Sequence, residues 1–405
     1  MKKFLYLFVI TFLIVGLTAC SVRENARTKE VTVWTLQMGD FSDYMYKIIR
    51  TYENEHPNIQ IKWVDVPFSE GEKRTLAAVM TDNPPDLINL NPDFSALLAQ
   101  KGTLEEIPPE AVTDFSPEIV KALMYNDKLY SIHWYATSAV TIYNKDLFSK
   151  SGIIRLPKTY KELASVAEKI KANSGAYAYL PTITENDTMM KILNKYGITE
   201  LKQLNSQESA DVFNMFKILY EKDLIPPETI TMTHREALEQ YMAGKIIFYQ
   251  GGSNFLNMIK ENAPSVYEQT DVMEQFRGPV GQYDLSVMNF VIPKRAKMKK
   301  EALEFCLYLT NAQNQLELAK MTNIIATNSE TLKDKFYNDE SDKMSKARSI
   351  SAKQLNHIYP QMKQRRGQKE INTAVNSTVQ AILLNKQSTN FALDELVKAL
   401  SNFDD

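Results

Sequence analysis

Cysteine is almost missing from this chain. Its 405 residues hold two, Cys20 and Cys306. That number excludes a disulfide framework, so the fold must rest on its hydrophobic core, which a chain of this length can supply. Histidine is nearly as scarce: the four, His56, His133, His234 and His357, are scattered without the spacing of a metal site. Glycine is low at 13, and the sequence has no phosphate-cradling glycine cluster, no Walker loop and no Gly-x-Ser-x-Gly elbow. Neither charge dominates. With 47 Lys and Arg against 49 Asp and Glu, the net charge is −2, which predicts no nucleic-acid surface and no polybasic membrane patch. Internal repeats and low-complexity segments are absent. These absences leave a core-built protein of one or two ordinary domains, rich in aromatics, with Tyr 20, Phe 18 and Trp 3.

The N-terminus is the most informative stretch. Lys2 and Lys3 precede an uncharged apolar run from Phe4 to Gly16, then Leu17-Thr18-Ala19-Cys20. Basic residues, a short apolar core and small residues read as an export signal over 1–19, and the run is short of the ~20 residues that span a bilayer. Leu-x-Ala-Cys in this place resembles the lipobox of bacterial lipoproteins. By that resemblance the chain is cut before Cys20, whose thiol carries a diacylglycerol, and two acyl chains give stable anchoring. A plain secretory signal with a chance cysteine is the other reading. Residues 20–29 then form a polar, aperiodic tether. Cys306 lies on an apolar helical pattern and is expected to be buried.

Beyond the tether, strand and helix patterns alternate. Strands are predicted at 31–35, 59–64, 86–90, 140–143, 246–249 and 286–291. Helical spacing covers 40–55, 70–80, 94–100, 159–172, 206–221, 299–320, 341–356 and 368–400. Such alternation predicts an α/β fold with a mainly parallel sheet covered on both faces.

Five local patterns carry a further resemblance, in order along the chain: VTVWT with YENEHPNIQIKW; NPPDLINLNPDFSALLAQKGTLEEI; NDKLYSIHWYATSAVTIYNKDLFSKSG with LPKTYKEL; ALEQYMAGKIIFYQGG; and VIPKRAKMKKEALEFCLYLTNAQNQL. Over roughly 30–400 the sequence resembles the extracellular solute-binding proteins of carbohydrate-type importers, the family that includes maltose-binding proteins. The resemblance implies two hinge-connected α/β lobes, a periplasmic-binding-protein-like fold, with ligand in the cleft between them. One lobe would be 30–137 plus 288–326, the other 138–287 plus 327–405. The hinges would lie near 135–139 and 285–291. It also implies a monomer on the outer face of the cell membrane, without catalytic residues, metal or cofactor, that delivers solute to the membrane permease of an ATP-driven importer.

Open α/β sheets bind ligands outside the carboxyl ends of their strands, and those ends supply the candidate site. They offer Trp34 and Gln37; Asn89, Asn91 and Asp93; Trp134 and Tyr135 at the first crossover; and Tyr179, Ser253, Asn254, Tyr283 and Asn289. Amides, a carboxylate and aromatic rings suit a mono- or oligosaccharide, whose hydroxyls want planar hydrogen-bonding groups and whose C–H faces stack on rings. Trp34 reads equally as a core residue, Trp63 better as one, and Asp93 equally as a helix cap. Asn254 stands where the family often places a stacking tryptophan, with Phe255 beside it. Leu90 stands where maltose-binding proteins have an aromatic. Both departures weigh against maltose as the ligand.

Other readings stay open. A non-sugar solute is one: a glycerol phosphate would need convergent Arg and Lys or helix N-termini, a polyamine acidic groups and aromatic boxes. An interaction lipoprotein is another, although repeats and long linkers are lacking. A glycan-active enzyme would need only two well-placed carboxylates. Arg365-Arg366 could meet an acidic ligand or lie in a solvated loop. The basic run from Lys294 to Lys300 reads as an exposed helix start or a rim contact for the transporter.

Overall fold

The computed structural model describes residues 28–322, 324–357 and 367–403. The signal stretch, Cys20, nearly all of the tether and Arg365-Arg366 lie outside these residues.

Among the described residues nine strands run in chain order: β1 (Lys29–Leu36), β2 (Ile59–Val66), β3 (Leu87–Leu90), β4 (Ile132–Asn144), β5 (Tyr177–Tyr179), β6 (Ile246–Gly252), β7 (Thr270–Met273), β8 (Leu285–Val291) and β9 (Ile325–Ala326). The main path is β2-β1-β3-β8-β4-β6-β5, with β7 and β9 also on β4. β1 is parallel to β2 and β3, which places three carboxyl ends on one edge. β5 and β6 are parallel as well. β8 runs antiparallel to β3 and β4.

β4 is thirteen residues long, far more than the 140–143 expected from its β-prone core. It serves two sheets. Ile132 to Ser138 pair with β8, and Ala139 to Tyr143 pair with β6, so the strand changes partners between Ser138 and Ala139. A register shift between His133 and Tyr135 interrupts its ladder with β8. β4 therefore joins two α/β units, one built on β1–β3 with β8 and the other on β5–β7.

Helices cover the sheets because their apolar residues fall on one face. In the helix Ser42–Glu55 the buried set is Tyr44, Met45, Ile48, Ile49 and Tyr52, spaced for a 3.6-residue period. It packs with Trp134, Phe290 and Phe305. The helix Tyr160–Ser174 starts at Thr159, whose side chain accepts from the Glu162 N–H, and stops at Gly175 with φ 73°. Together with Gln207–Glu221, Gln368–Leu383 and Thr389–Leu400 it encloses a second core around Phe213, Phe248 and Phe276. Each fully buried large apolar side chain contributes about 1.5–3 kcal/mol, and Cys306 lies in the first core as expected.

Two helices were expected too long. The stretch 299–320 is Lys299–Thr310 and Ala312–Thr322, broken at Asn311, whose side chain caps the second through the Asn314 N–H at 2.8 Å. The stretch 368–400 divides at Asn385, which has φ 56°. Apolar periodicity runs on across a tight turn, and the turn residue alone marks the break.

Candidate functional site

The carboxyl ends of β1, β2 and β3 form one wall. Gln37 follows β1 with φ 53°, exposed, its N–H held by the Val66 carbonyl at 2.9 Å. Asp65 on β2 accepts from the Thr35 hydroxyl at 2.8 Å and the Met38 N–H at 2.9 Å. Trp63 donates its indole N–H to the same Thr35 oxygen at 2.8 Å. Behind this edge, Trp34 and Tyr135 pack partly exposed on one apolar cluster with Leu36, Leu90 and Met288. Burial first, then the charge of Asp65, pushes the Tyr135 phenol up to about 12, so it remains a neutral donor.

At the end of β3, Asn91 caps the helix Pro92–Gln100: its Oδ1 accepts the Phe94 N–H at 2.8 Å. Asn91 therefore takes the capping role considered for Asp93. The Asp93 carboxyl is partly buried and has no hydrogen bond among the described residues. Its pKa rises to about 6, first through burial, then through the negative charge of Asp187, with Lys191 opposing and Glu72 adding to the rise. Asp187 and Lys191 are themselves paired at 3.1 Å at the start of the helix Thr188–Asn194, on the loop that follows β5. Asp93 thus faces charges borne on the other sheet.

The opposite wall is the end of β5 and β6. The Gln250 side-chain oxygen Oε1 accepts from the Tyr160 hydroxyl at 3.0 Å and from the Tyr179 hydroxyl at 3.1 Å. Gly251 and Gly252 follow, then Ser253, partly exposed, and Asn254, exposed. A Cβ at Gly251 would lie 2.6 Å from the Tyr249 ring. That close approach explains a glycine here. On the neighbouring rim, His234 Nδ1 sits 2.6 Å from the Thr182 hydroxyl and 2.5 Å from Glu185.

Several expected site residues are elsewhere. Trp134 is 0% exposed and lies tilted in the core with its ring 4.6 Å from Phe290, on the same face of β4 as Ile132 two positions before it. Asn89 and Asn289 are also fully buried. Asn89 donates to the Asn289 carbonyl at 3.1 Å and Asn289 to the Ser95 hydroxyl at 3.0 Å, which joins β3, β8 and the helix Pro92–Gln100. Tyr179 is 7% exposed, its hydroxyl taken by Gln250. Tyr283 is 5% exposed and donates to Glu274 at 2.8 Å. These five belong to the framework. Trp34, Gln37, Asn91, Asp93, Tyr135, Ser253 and Asn254 retain accessible surface at the facing edges. Sequence reading missed Asp65, Asp187 and Lys191. Asp65 lies near the carboxyl end of a parallel strand, the same signal that pointed to the others.

The arrangement can bind and position, and it carries no metal-ligand constellation: among the described residues no group of three His, Cys, Asp or Glu could hold an ion. A separate apolar void of about 10 Å³, lined by Tyr160, Leu163, Phe216 and Ile225 among others, has room for about one water and belongs to core packing.

A two-lobed α/β fold with polar and aromatic groups at facing strand ends defines a solute receptor of the periplasmic-binding class. The chain belongs to the bacterial extracellular solute-binding protein family, which it matches over residues 47–345. It is 25% identical over 348 residues to the multiple sugar-binding protein of Streptococcus mutans serotype c, covering 77% of this chain and 79% of that one. A periplasmic-binding protein of Synechococcus sp. MITs9220 superposes with TM-score 0.81 at 26% identity, over 92% of this chain and 98% of that chain. The sugar-binding protein MalE from Xanthomonas citri gives TM-score 0.77 at 19% identity, over 92% and 97%. The family implies an extracytoplasmic location, and no helix among the described residues is long and apolar enough to cross a membrane.

Proposed function

We propose that this protein is a lipid-anchored receptor that captures a mono- or oligosaccharide between its lobes and delivers it to the permease of an ATP-driven importer. The observation that carries the reading is the pairing of partly exposed rings, Trp34 and Tyr135, with polar groups that keep accessible surface at the same edge, Gln37, Asp65 and Asp93. Rings stack on C–H faces and planar polar groups bind hydroxyls. Ser253, Asn254 and Gln250 would complete the contacts from the other lobe, and contacts from both lobes are what a ligand needs to drive closure. The name of the Streptococcus mutans relative supports the same ligand class.

The lobes divide as 30–137 plus 288–326 and 138–287 plus 327–405. The exchange of β4 partners between Ser138 and Ala139 supports this division. Cys20 carries the lipid, and the receptor works as a monomer that binds solute without transforming it. A second reading, a cationic solute such as a polyamine, is favoured by the carboxylates of Asp93, Glu72 and Asp187 at the lobe edges.

A thermal-shift screen of the purified chain against oligosaccharides, sugar phosphates, polyamines and amino acids tests both readings. A ligand at 100 times its Kd adds about 2.7 kcal/mol. Stabilisation by one sugar series is expected. Stabilisation by polyamines alone would replace the sugar with the second reading, and a response to phosphate esters alone would overturn both.

A further inference from the structure

Two buried glutamines meet where the chain passes between the sheets. Gln275 follows β7, and Gln354 ends the helix Lys343–Gln354. Each is 1% exposed. The Gln275 amide nitrogen donates to Ser138 Oγ at 3.2 Å, to the Ala139 carbonyl at 3.0 Å and to the Asp284 carbonyl at 3.0 Å. Its Oε1 accepts the Asp284 N–H at 3.1 Å and the Lys195 ammonium at 3.2 Å. Facing two donors, that oxygen cannot be exchanged with the nitrogen. Gln354 donates to Ser138 Oγ at 2.7 Å and to the Ala139 carbonyl at 2.9 Å, and accepts the Gln275 N–H at 3.0 Å. Lys195, 0% exposed, pairs with Asp284 at 2.9 Å and donates to the Phe276 carbonyl at 3.1 Å.

The tied segments are the points of passage. Ser138 and Ala139 are where β4 changes sheets. Asp284 is the last residue before β8. Gln354 ends the helix reached after β9, whose two residues pair with Tyr135 and Ala136. That helix is fixed to the second sheet through Lys346 and Asp271 at 2.8 Å. The glutamine side chains therefore bind three passing segments into one body with the second sheet. A buried network whose members are all paired is rigid. The first lobe has ties of its own on the other side: Asn289 on β8 donates to Ser95 Oγ at 3.0 Å, and Gln315 Oε1 accepts the Thr327 and Asn328 N–H groups at 2.7 and 3.0 Å just after β9, which leaves the part of β4 between the His133/Tyr135 register shift and Ser138 between the two sets of ties.

We propose that Gln275 and Gln354 are positioning residues that clamp all three passages to the second lobe. Opening and closing are then confined to the first-lobe side of Ser138, and the clamp sets the angle at which the two binding edges meet. The inference rests on the two-lobed receptor reading but not on the identity of the ligand.

The test is the inter-lobe distance without ligand. In the full chain carrying C20S, spin labels at Lys101→Cys and Lys386→Cys, both exposed, report the distance between lobes. Gln275→Leu and Gln354→Met remove the clamp bonds with little change in volume. Val379→Ala, a fully buried helix residue remote from the passages, matches them for loss of Tm. The distance distribution should broaden and shift in both glutamine variants and stay unchanged in V379A. A folded Q354M with the wild-type distribution would overturn the proposal, and so would equal broadening in V379A. Q354M removes fewer bonds and decides the matter should Q275L fail to fold. With no solute added, a failed sugar screen leaves this result intact.

Discussion

Replacing Asp93 with asparagine should make the protein more stable at neutral pH, and the gain should vanish in acid. The folded carboxyl has its pKa at about 6, against an ordinary aspartate value near 4. A gap of about two pH units corresponds to about 3 kcal/mol at about 1.4 kcal/mol per unit. Asp93 is partly exposed, and solvent screening reduces that ceiling to about 1–2 kcal/mol. The sign follows from linkage. Below about pH 4 the group is protonated in both folded and unfolded chains and costs nothing. Between about pH 4 and 6 the unfolded chain ionises first and stability falls. Above about 6 both forms are ionised and the full penalty remains. Asparagine keeps the shape and removes the charge, so the advantage of D93N should grow from pH 4 to 6 and then level off. Urea denaturation of both proteins at pH 4, 5, 6 and 7.5 measures it. Equal stabilities at pH 7.5, or a gap that persists at pH 4, would refute both the burial and the facing charge of Asp187. The same change should weaken ligand binding about tenfold, because a hydrogen bond to a charged group contributes about 1.5–3 kcal/mol.

Other outcomes separate ligand contacts from framework. Trp34→Ala and Tyr135→Ala should each raise Kd by about tenfold, as loss of a stacked ring costs about 0.5–1.5 kcal/mol beyond its area, with titration calorimetry as the readout. Trp134→Ala should lose about 3–5 kcal/mol of stability and leave the Kd of the folded protein alone, since its ring is buried against Phe290. Asn91→Ala should cost about 1 kcal/mol by removing the cap on the helix Pro92–Gln100, measured by denaturation. Cys20→Ser should move the protein from the membrane to the soluble fraction; retention in washed membranes would refute the lipid anchor.

The α/β class and most elements were legible because they rest on local periodicity and punctuation. His56-Pro57 closes the helix Ser42–Glu55, and the strand Ile59–Val66 follows almost at once. The candidate site was legible in part. Trp34, Gln37, Asn91 and Asp93 could be named as candidates, and they keep accessible surface at strand ends, because a parallel strand has its carboxyl end fixed by chain direction alone. Trp134 and Tyr135 were both named, yet neighbours on a strand point to opposite faces: Tyr135 keeps accessible surface, while Trp134 joins Ile132 in the core. Asn89 and Asn289 have a ligand-like chemistry but meet each other instead, 200 positions apart. Asp187 and Lys191 went unseen for the same reason. Their relation to Asp93 exists only once the two sheets face each other.

That facing gives the cleft an electrostatic logic. Asp93 with Glu72 lies on one edge and Asp187 on the other. Without ligand at neutral pH, closing would press like charges together in a partly dry space, which is costly. Lys191 neutralises part of this, yet burial and the acidic groups still outweigh it at Asp93. On the sugar reading, hydroxyl donors placed between the carboxylates would turn that repulsion into charge-assisted hydrogen bonds. Closure would then be unfavourable when empty and favourable when loaded, which is the differential interaction a ligand needs to shift the equilibrium. A rigid clamp at Gln275 and Gln354 complements this, because it keeps the second edge from relaxing away as the first one swings in. A looser hinge would let the carboxylates avoid one another, and the penalty that separates empty from loaded receptor would be lost.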